Sequence, residues 1–423
     1  MCTTSGARRH AEAIDTVIIG AGHAGLAMSR CLTDRGVAHL ILERGRTAER
    51  WRTARWDSFR LLTPNWMSRL PGWEYAGPDP DGYMTAAQLV GHLEGYARSF
   101  AVPVLENTTV VEVRCAPGGF LVVTDRGTWA AANVVVATGY YSRPAVPGFA
   151  RDLPAHLAQV TVDRYRRPAD LPDGEVLVVG ASASGVQLAD ELHRSGRPVT
   201  LAVGGHTRLP RRYRERDILW WLDRVGTLDR TRNELPDPGR ARREPSMQLT
   251  GTGRTIDLGT LRRQGVRLAG RMLGHRDGHA LFADDLQAVT AVADARLRRV
   301  LARIDRYPGP EPEPIEPVIV GPGPERLDLR RFAAVVWATG MRPGYPWLKV
   351  PVLDVTGRIA HRRGVTDVPG LYAIGLRFQH RRNATFIDGA RHDAAYLADH
   401  IARRPRAGRV HARRRTDRVL VAG

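Results

Sequence analysis

Apolar positions along the chain fall into two recurring patterns. Val17-Ile18-Ile19 is a short unbroken apolar run that stops at Gly20-Ala-Gly-His-Ala-Gly25. A run of that length bounded by glycine predicts a buried strand turning sharply into a helix. The helix is expected to reach about Arg35, and a second strand over 38–42 ends on Glu43. The same order returns at Glu175-Val-Leu-Val-Val-Gly-Ala-Ser-Ala-Ser-Gly185, with a helix to about Ser195 and a strand over 198–203. These two βαβ units are the main internal repeat.

Elsewhere Thr85 caps a helix to about Ser99, with Leu89, Val90, Leu93 and Ala97 on one face. Segments 110–114 and 120–124 read as hairpin arms, and 133–137 as a buried strand ending in Ala137-Thr138-Gly139. A long helix is expected over about 282–306, its core stripe being Leu286, Val289, Ala293, Leu297, Val300 and Ile304. A strand over 333–337 ends in a second Ala-Thr-Gly340, followed by a strand around 371–374 and a helix near 388–403. Residues 1–13 read as a loose leader, 46–84 as an ordered loop region and 144–172 as a proline-bearing connector. The Pro-Gly-rich stretch 308–324 reads as an exposed loop, and 406–423 as a basic tail.

Length and charge narrow this picture. A chain of 423 residues can hold two or three domains with large cores. The formal charge of +19 raises the question of a polyanionic partner. Lys349 is the only lysine, so the charge is nearly all arginine, scattered apart from runs at 211–216 and 413–415. No interleaved aromatic and basic array accompanies it, so no nucleic-acid partner is expected. The N-terminal apolar run is too short and glycine-broken to span a membrane, and Arg8-Arg9 precedes no separate apolar stretch. A cytoplasmic protein without a membrane partner is expected. Cys2, Cys31 and Cys115 are far apart, which suggests neither a redox dithiol nor a zinc site.

The glycine units carry the candidate chemistry. Gly20 permits the tight turn, Gly22 lets the backbone approach a pyrophosphate, and Gly25 lets helix and strand pack closely. Glu43 stands where an acid should bond an adenosine ribose. In the second unit Gly180, Ser182, Ser184 and Gly185 take the corresponding places. No acid follows Val203; Gly204-Gly-His-Thr-Arg-Leu-Pro-Arg-Arg212 follows instead. Arginine there can hold a 2′-phosphate, so Arg208, with Arg211 or Arg212, is assigned that role. The division of labour is FAD at the first unit and NADPH at the second. With no cysteine pair to receive electrons, the disulfide-reductase reading falls, and dioxygen or an external acceptor remains.

The order of the first glycine motif, Trp51, Ala-Thr-Gly139 with Tyr-Tyr-Ser-Arg-Pro144, the second glycine motif and Ala-Thr-Gly340 resembles the class B flavin-dependent monooxygenases. Over roughly 14–403 it is most similar to bacterial relatives of the flavin-containing and YUCCA-type enzymes. The resemblance implies an α/β fold of glutathione-reductase-like architecture with two Rossmann-like domains. The FAD domain would comprise 1–148 and 326–405, and the NADPH domain 149–325 with a variable insert over 209–325. It implies that Trp51 lines the FAD site, that the loop 61–71 with Thr63 passes near the flavin, and that Asn65 stabilises the oxygenated flavin. Arg44, Val111, Thr138, Gly139, Gly340, Gly375 and Thr385 are the further cofactor-binding positions. NADPH would reduce FAD, dioxygen would add at flavin carbon 4a, and one oxygen atom would pass to a small organic substrate; homodimerisation is left open.

The chain departs from the family pattern in places. Phe149, Arg151 and His156 meet the F-x-G-x-x-x-H fingerprint only in part, and Leu376 stands where many flavoproteins have an acid. Among other candidates, His23 reads as a solvent-side helix residue, Trp220-Trp221 as a core pair, and His380, His392 and His400 as structural. A flavin reductase or dehydrogenase serving an external acceptor, and a non-enzymatic nucleotide-binding protein, are the alternatives.

Overall fold

A computed structural model describes residues 11–405 except 236, 238 and 240–245. The tail 406–423 and most of the expected leader lie outside the described residues. Each glycine unit founds its own sheet, the first parallel around its founding strand with an antiparallel hairpin at one side, the second parallel throughout. The first runs in the order Val104–Leu105, His39–Leu42, Glu12–Ile19, Thr128–Val136, Gly119–Thr124, Val110–Ala116, with Leu371–Ala373 also pairing on Thr128–Val136. Its founding strand starts earlier than expected, because Glu12 and Ala13 pair with Trp129 and Ala130 and extend the ladder.

Both faces of this sheet are covered, which is why its strands read as unbroken apolar runs. Ile18 and Val135 enter the core beneath the helices His23–Thr33 and Ile387–Arg403. Val17, Ile19, Val134 and Val136 enter a second core with the hairpin and the 345–359 segment. Thr85 caps the helix Ala86–Ser99 through a full capping box with Gln88.

The second sheet runs Arg267–Ala269, Val199–Ala202, Glu175–Val179, Phe332–Trp337, Ala158–Thr161. This corrects the expected boundary at 326. Phe332–Trp337 is a central strand here, and Ala334, Val335 and Val336 are fully buried between its two neighbours. The connector also contributes an edge strand, and the insert supplies the opposite edge. The chain crosses between the domains at Arg143–Pro144 and Met341–Arg342, and these two crossings pair as an antiparallel ribbon. In the insert, the helix Leu286–Ile304 buries Leu286, Ala293, Leu297 and Ile304, with Val289 and Val300 half-buried. Trp221 is a buried core residue stacked edge-on with Trp220. No helix among the described residues is long and apolar enough to cross a membrane.

Candidate cofactor site

The two glycine turns are built alike. Gly20 N–H donates to Leu42 O at 2.8 Å and Ala137 N–H to Ile19 O at 2.9 Å. In the second unit Gly180 N–H donates to Ala202 O and Ala338 N–H to Val179 O, both at 2.9 Å. Gly20 and Gly180 sit at φ of +106° and +107°, where an L side chain is strained. A Cβ on Gly25 would lie 1.9 Å from Gly20 O, and one on Gly185 would lie 1.7 Å from Gly180 O. The two Ala-Thr-Gly segments are therefore the walls against which the two turns close.

Gly22 differs in kind. It is the N-cap of His23–Thr33, and a Cβ there would meet nothing within 4 Å. The open space lies at a helix N-terminus, where backbone N–H groups and the dipole favour an anion. Glu43 is fixed beside it, accepting Ala21 N–H at 2.8 Å and Gly45 N–H at 3.0 Å. Thr138 Oγ1 is buried without a partner, and Gly139 and Gly340 both turn at positive φ. Gly375 lies against the first turn of the same helix, its Cβ position 3.1 Å from Ala24. Thr385 bonds the Tyr141 hydroxyl, and Asn383 Oδ1 is buried and unpartnered just before the last helix. An open anion cradle, a held carboxylate and unpaired buried polar atoms fit a flavin dinucleotide.

Around the first cradle, Arg44 is exposed and Thr63 half-buried, while Val111 is exposed on the hairpin. Trp51 is half-buried, with the Arg55 guanidinium 4.4 Å over its ring. His23 is not a solvent-side residue as expected: its Nε2 is shut from water without a partner, and burial lowers its pKa to about 4.

Three assignments are corrected by internal bonding. Asn65 spends both ends of its amide on the backbone, donating to Asp79 O at 2.8 Å and accepting Met84 N–H at 2.7 Å. It pins the loop through both ends of its amide. Arg208 is buried between Asp257 at 2.9 Å and Asp294 at 2.7 Å and also donates to Glu316 O. Arg211 is buried on Asp217, Leu62 O and Thr250 O beneath the Tyr83 ring. Neither arginine presents its charge to a 2′-phosphate. Arg212 is exposed.

At the second cradle, Ser182 is the N-cap of Ala183–Arg194 and its hydroxyl makes no capping bond, while Ser184 is half-buried. Beside it stands a residue that no local motif flagged. Gln248 is buried, donates to Ala181 O at 2.6 Å, and keeps its Oε1 unpartnered. It reaches the turn through a two-residue parallel pairing with Thr207–Arg208, a contact no spacing rule announces. Among the described residues no cluster of His, Cys, Asp and Glu could hold a metal.

A family model described as pyridine nucleotide-disulphide oxidoreductase matches residues 17–222. An uncharacterized CzcO-like oxidoreductase of Geobacillus kaustophilus is 33% identical over 391 residues, covering 92% of this chain and 98% of the relative. Indole-3-pyruvate monooxygenase YUCCA6 of Arabidopsis thaliana is 32% identical over 206 residues, 46% of this chain and 49% of that enzyme. The chain thus matches about half of the plant enzyme's length. A solved flavin-containing monooxygenase from Stenotrophomonas maltophilia, 20% identical, shares the fold with a TM-score of 0.66 over 92% of this chain and 98% of that one.

Proposed function

From the premise that the chain belongs to the CzcO-like oxidoreductases, a class B flavin monooxygenase-like group, we propose that it is an FAD monooxygenase that takes its electrons from NADPH. The observation that carries the reading is the duplicated cradle. One glycine turn has an acid beside it, and the other has none at the end of Val199–Ala202, where a 2′-phosphate would otherwise be repelled.

In this reading the first cradle would hold FAD through Gly20, Gly22, Gly25 and Glu43, with Thr138, Gly139, Gly375 and Thr385 along its length. The second would hold the nicotinamide cofactor through Gly180, Ser182, Ser184 and Gly185. When bound, the flavin supplies reduction by the nicotinamide and oxygen-atom transfer from dioxygen to a small organic substrate. The chain's own part is binding and orientation. Helix N-termini neutralise the pyrophosphates, Glu43 fixes the ribose, and Trp51 and the Asn65-pinned loop shield the site from water. Among the described residues neither Cys31, which is buried, nor Cys115, which is exposed, is paired with a second cysteine that could relay electrons, which favours an oxygen-using enzyme over a disulfide reductase.

The test is stopped-flow reduction by NADPH and by NADH, followed by mixing with dioxygen. An absorbance phase distinct from both oxidised and reduced flavin, with NADPH bound more tightly than NADH, supports the reading. Direct return to oxidised flavin, with rapid transfer to a one-electron acceptor, would move it to the reductase alternative.

A further inference from the structure

Beyond the two cradles, a cavity of about 30 Å³ lies beside the turn after Gly139, and none of its lining residues belongs to either glycine motif. Tyr140, Tyr345, Arg358 and Arg377 line it together with Ile359 and Leu376. Tyr345 is 5% exposed, and its buried hydroxyl has no hydrogen-bond partner. A buried hydroxyl left so is unfavourable, and a ligand acceptor would satisfy it. Burial pushes the phenol above its ordinary value, so it stays a protonated donor at neutral pH.

The charge has one sign. Arg358 donates to the Tyr140 hydroxyl at 3.4 Å and lies 6.0 Å from that ring's centre, and it forms no ion pair among the described residues. Among the described residues no carboxylate lines the cavity. The polar lining thus offers donors: guanidinium groups, phenols and the imidazole of His361. A space this small admits one planar group of a few atoms, and a carboxylate matches the guanidinium fork.

We propose that this cavity binds the carboxylate of a small organic acid, held by Arg358 and the Tyr345 hydroxyl. Tyr140 and Leu376 directly follow Gly139 and Gly375 of the first cradle, so the site borders the cofactor reading, but the proposal itself needs only the cavity and its donors.

The test is a ligand-observed NMR titration of the full-length protein with propionate, its neutral amide propionamide, and inorganic phosphate. Tyr345→Phe, which removes only the hydroxyl, and Arg358→Met are titrated alongside. Propionate should bind about tenfold more tightly than propionamide; Tyr345→Phe should weaken it several-fold and Arg358→Met abolish it. Flavin content and melting temperature, read on the same samples, should stay at the parent's values in Tyr345→Phe. Equal binding of acid and amide, or unchanged binding in both variants, overturns the proposal. So does tighter binding of phosphate than of propionate. Flavin loss in step with propionate loss would assign these residues to the cofactor site and overturn it as well. Failure of NADPH reduction in the parent protein would count against the monooxygenase reading alone.

Discussion

Arg208 is 8% exposed and answers two carboxylates, Asp257 and Asp294. Burial raises the Asp257 carboxyl, but the Thr260 N–H and the Arg208 charge outweigh it and hold that group below its ordinary value. Removing the guanidinium leaves two buried anions uncompensated, so Arg208→Met should cost about 3–5 kcal/mol in denaturant melts. NADPH and NADH affinities should change in equal proportion; selective loss of NADPH would restore the phosphate role. Asp393 presents the opposite case. Burial raises its carboxyl to about 7, against the pull of Arg363 and Arg381, and Oδ2 has no partner. The unfolded carboxyl ionises near 3.9, so the folded state holds the extra proton between about pH 4 and pH 7. Stability should therefore fall as pH rises through that window, by at most about 1.4 kcal/mol per unit, and stay low above it. Asp393→Asn should flatten the melting-temperature profile and raise its value at pH 8. An unchanged slope would assign the pH dependence to other groups. The position of Glu43 beside the first turn was legible from the strand that precedes it, because that placement depends on local chain geometry. Asn65 and Arg211 were not, because their partners lie 14 and 149 residues away.

At the scale of elements, the two strand–turn–helix units were legible almost to their ends, since glycine spacing and apolar runs are local signals. Their equivalence extends to matching backbone bonds at Gly20 and Gly180. The three glycines of the first turn separate into different physical demands. Gly25→Ala places a Cβ 1.9 Å from Gly20 O and should abolish the soluble folded protein. Gly22→Ala has open space and an ordinary φ of −80°, so it should melt close to the parent while losing most bound FAD. Flavin-to-protein ratios and melting curves on the pair decide this; full flavin content in Gly22→Ala would remove the cradle from the cofactor site. The strand Phe332–Trp337 was foreseen as a strand but placed in the wrong domain. Its apolar pattern says that it is buried, whereas its neighbours are set by pairing with Glu175–Val179 and Ala158–Thr161.

Across the whole molecule, the arginine excess is partly structural mortar. Arg211 ties Asp217 and Thr250 O of the insert to Leu62 O of the 61–71 loop, and Tyr83 donates to Asp217 at 2.6 Å. Arg404 anchors the end of the last helix to Ala132 O at 2.9 Å. Composition suggested only that these charges were scattered; how many are consumed internally depends on the tertiary contacts. Arg211→Met should speed hydrogen exchange at 61–65 and 249–251 while leaving the glycine turns protected. Uniform acceleration would show that the residue supports the whole fold instead. The ribbon formed by Arg143–Pro144 and Met341–Arg342 has another consequence. It brings the entry and exit of the second domain side by side, with Ala145 N–H bonded to Gly340 O at 2.9 Å. Residues 145–340 are in effect a cassette plugged into its host through one two-pronged socket, and domains with adjacent ends tolerate transplantation. On the proposed reading, grafting that cassette whole between relatives exchanges electron-donor preference and leaves the host domain untouched.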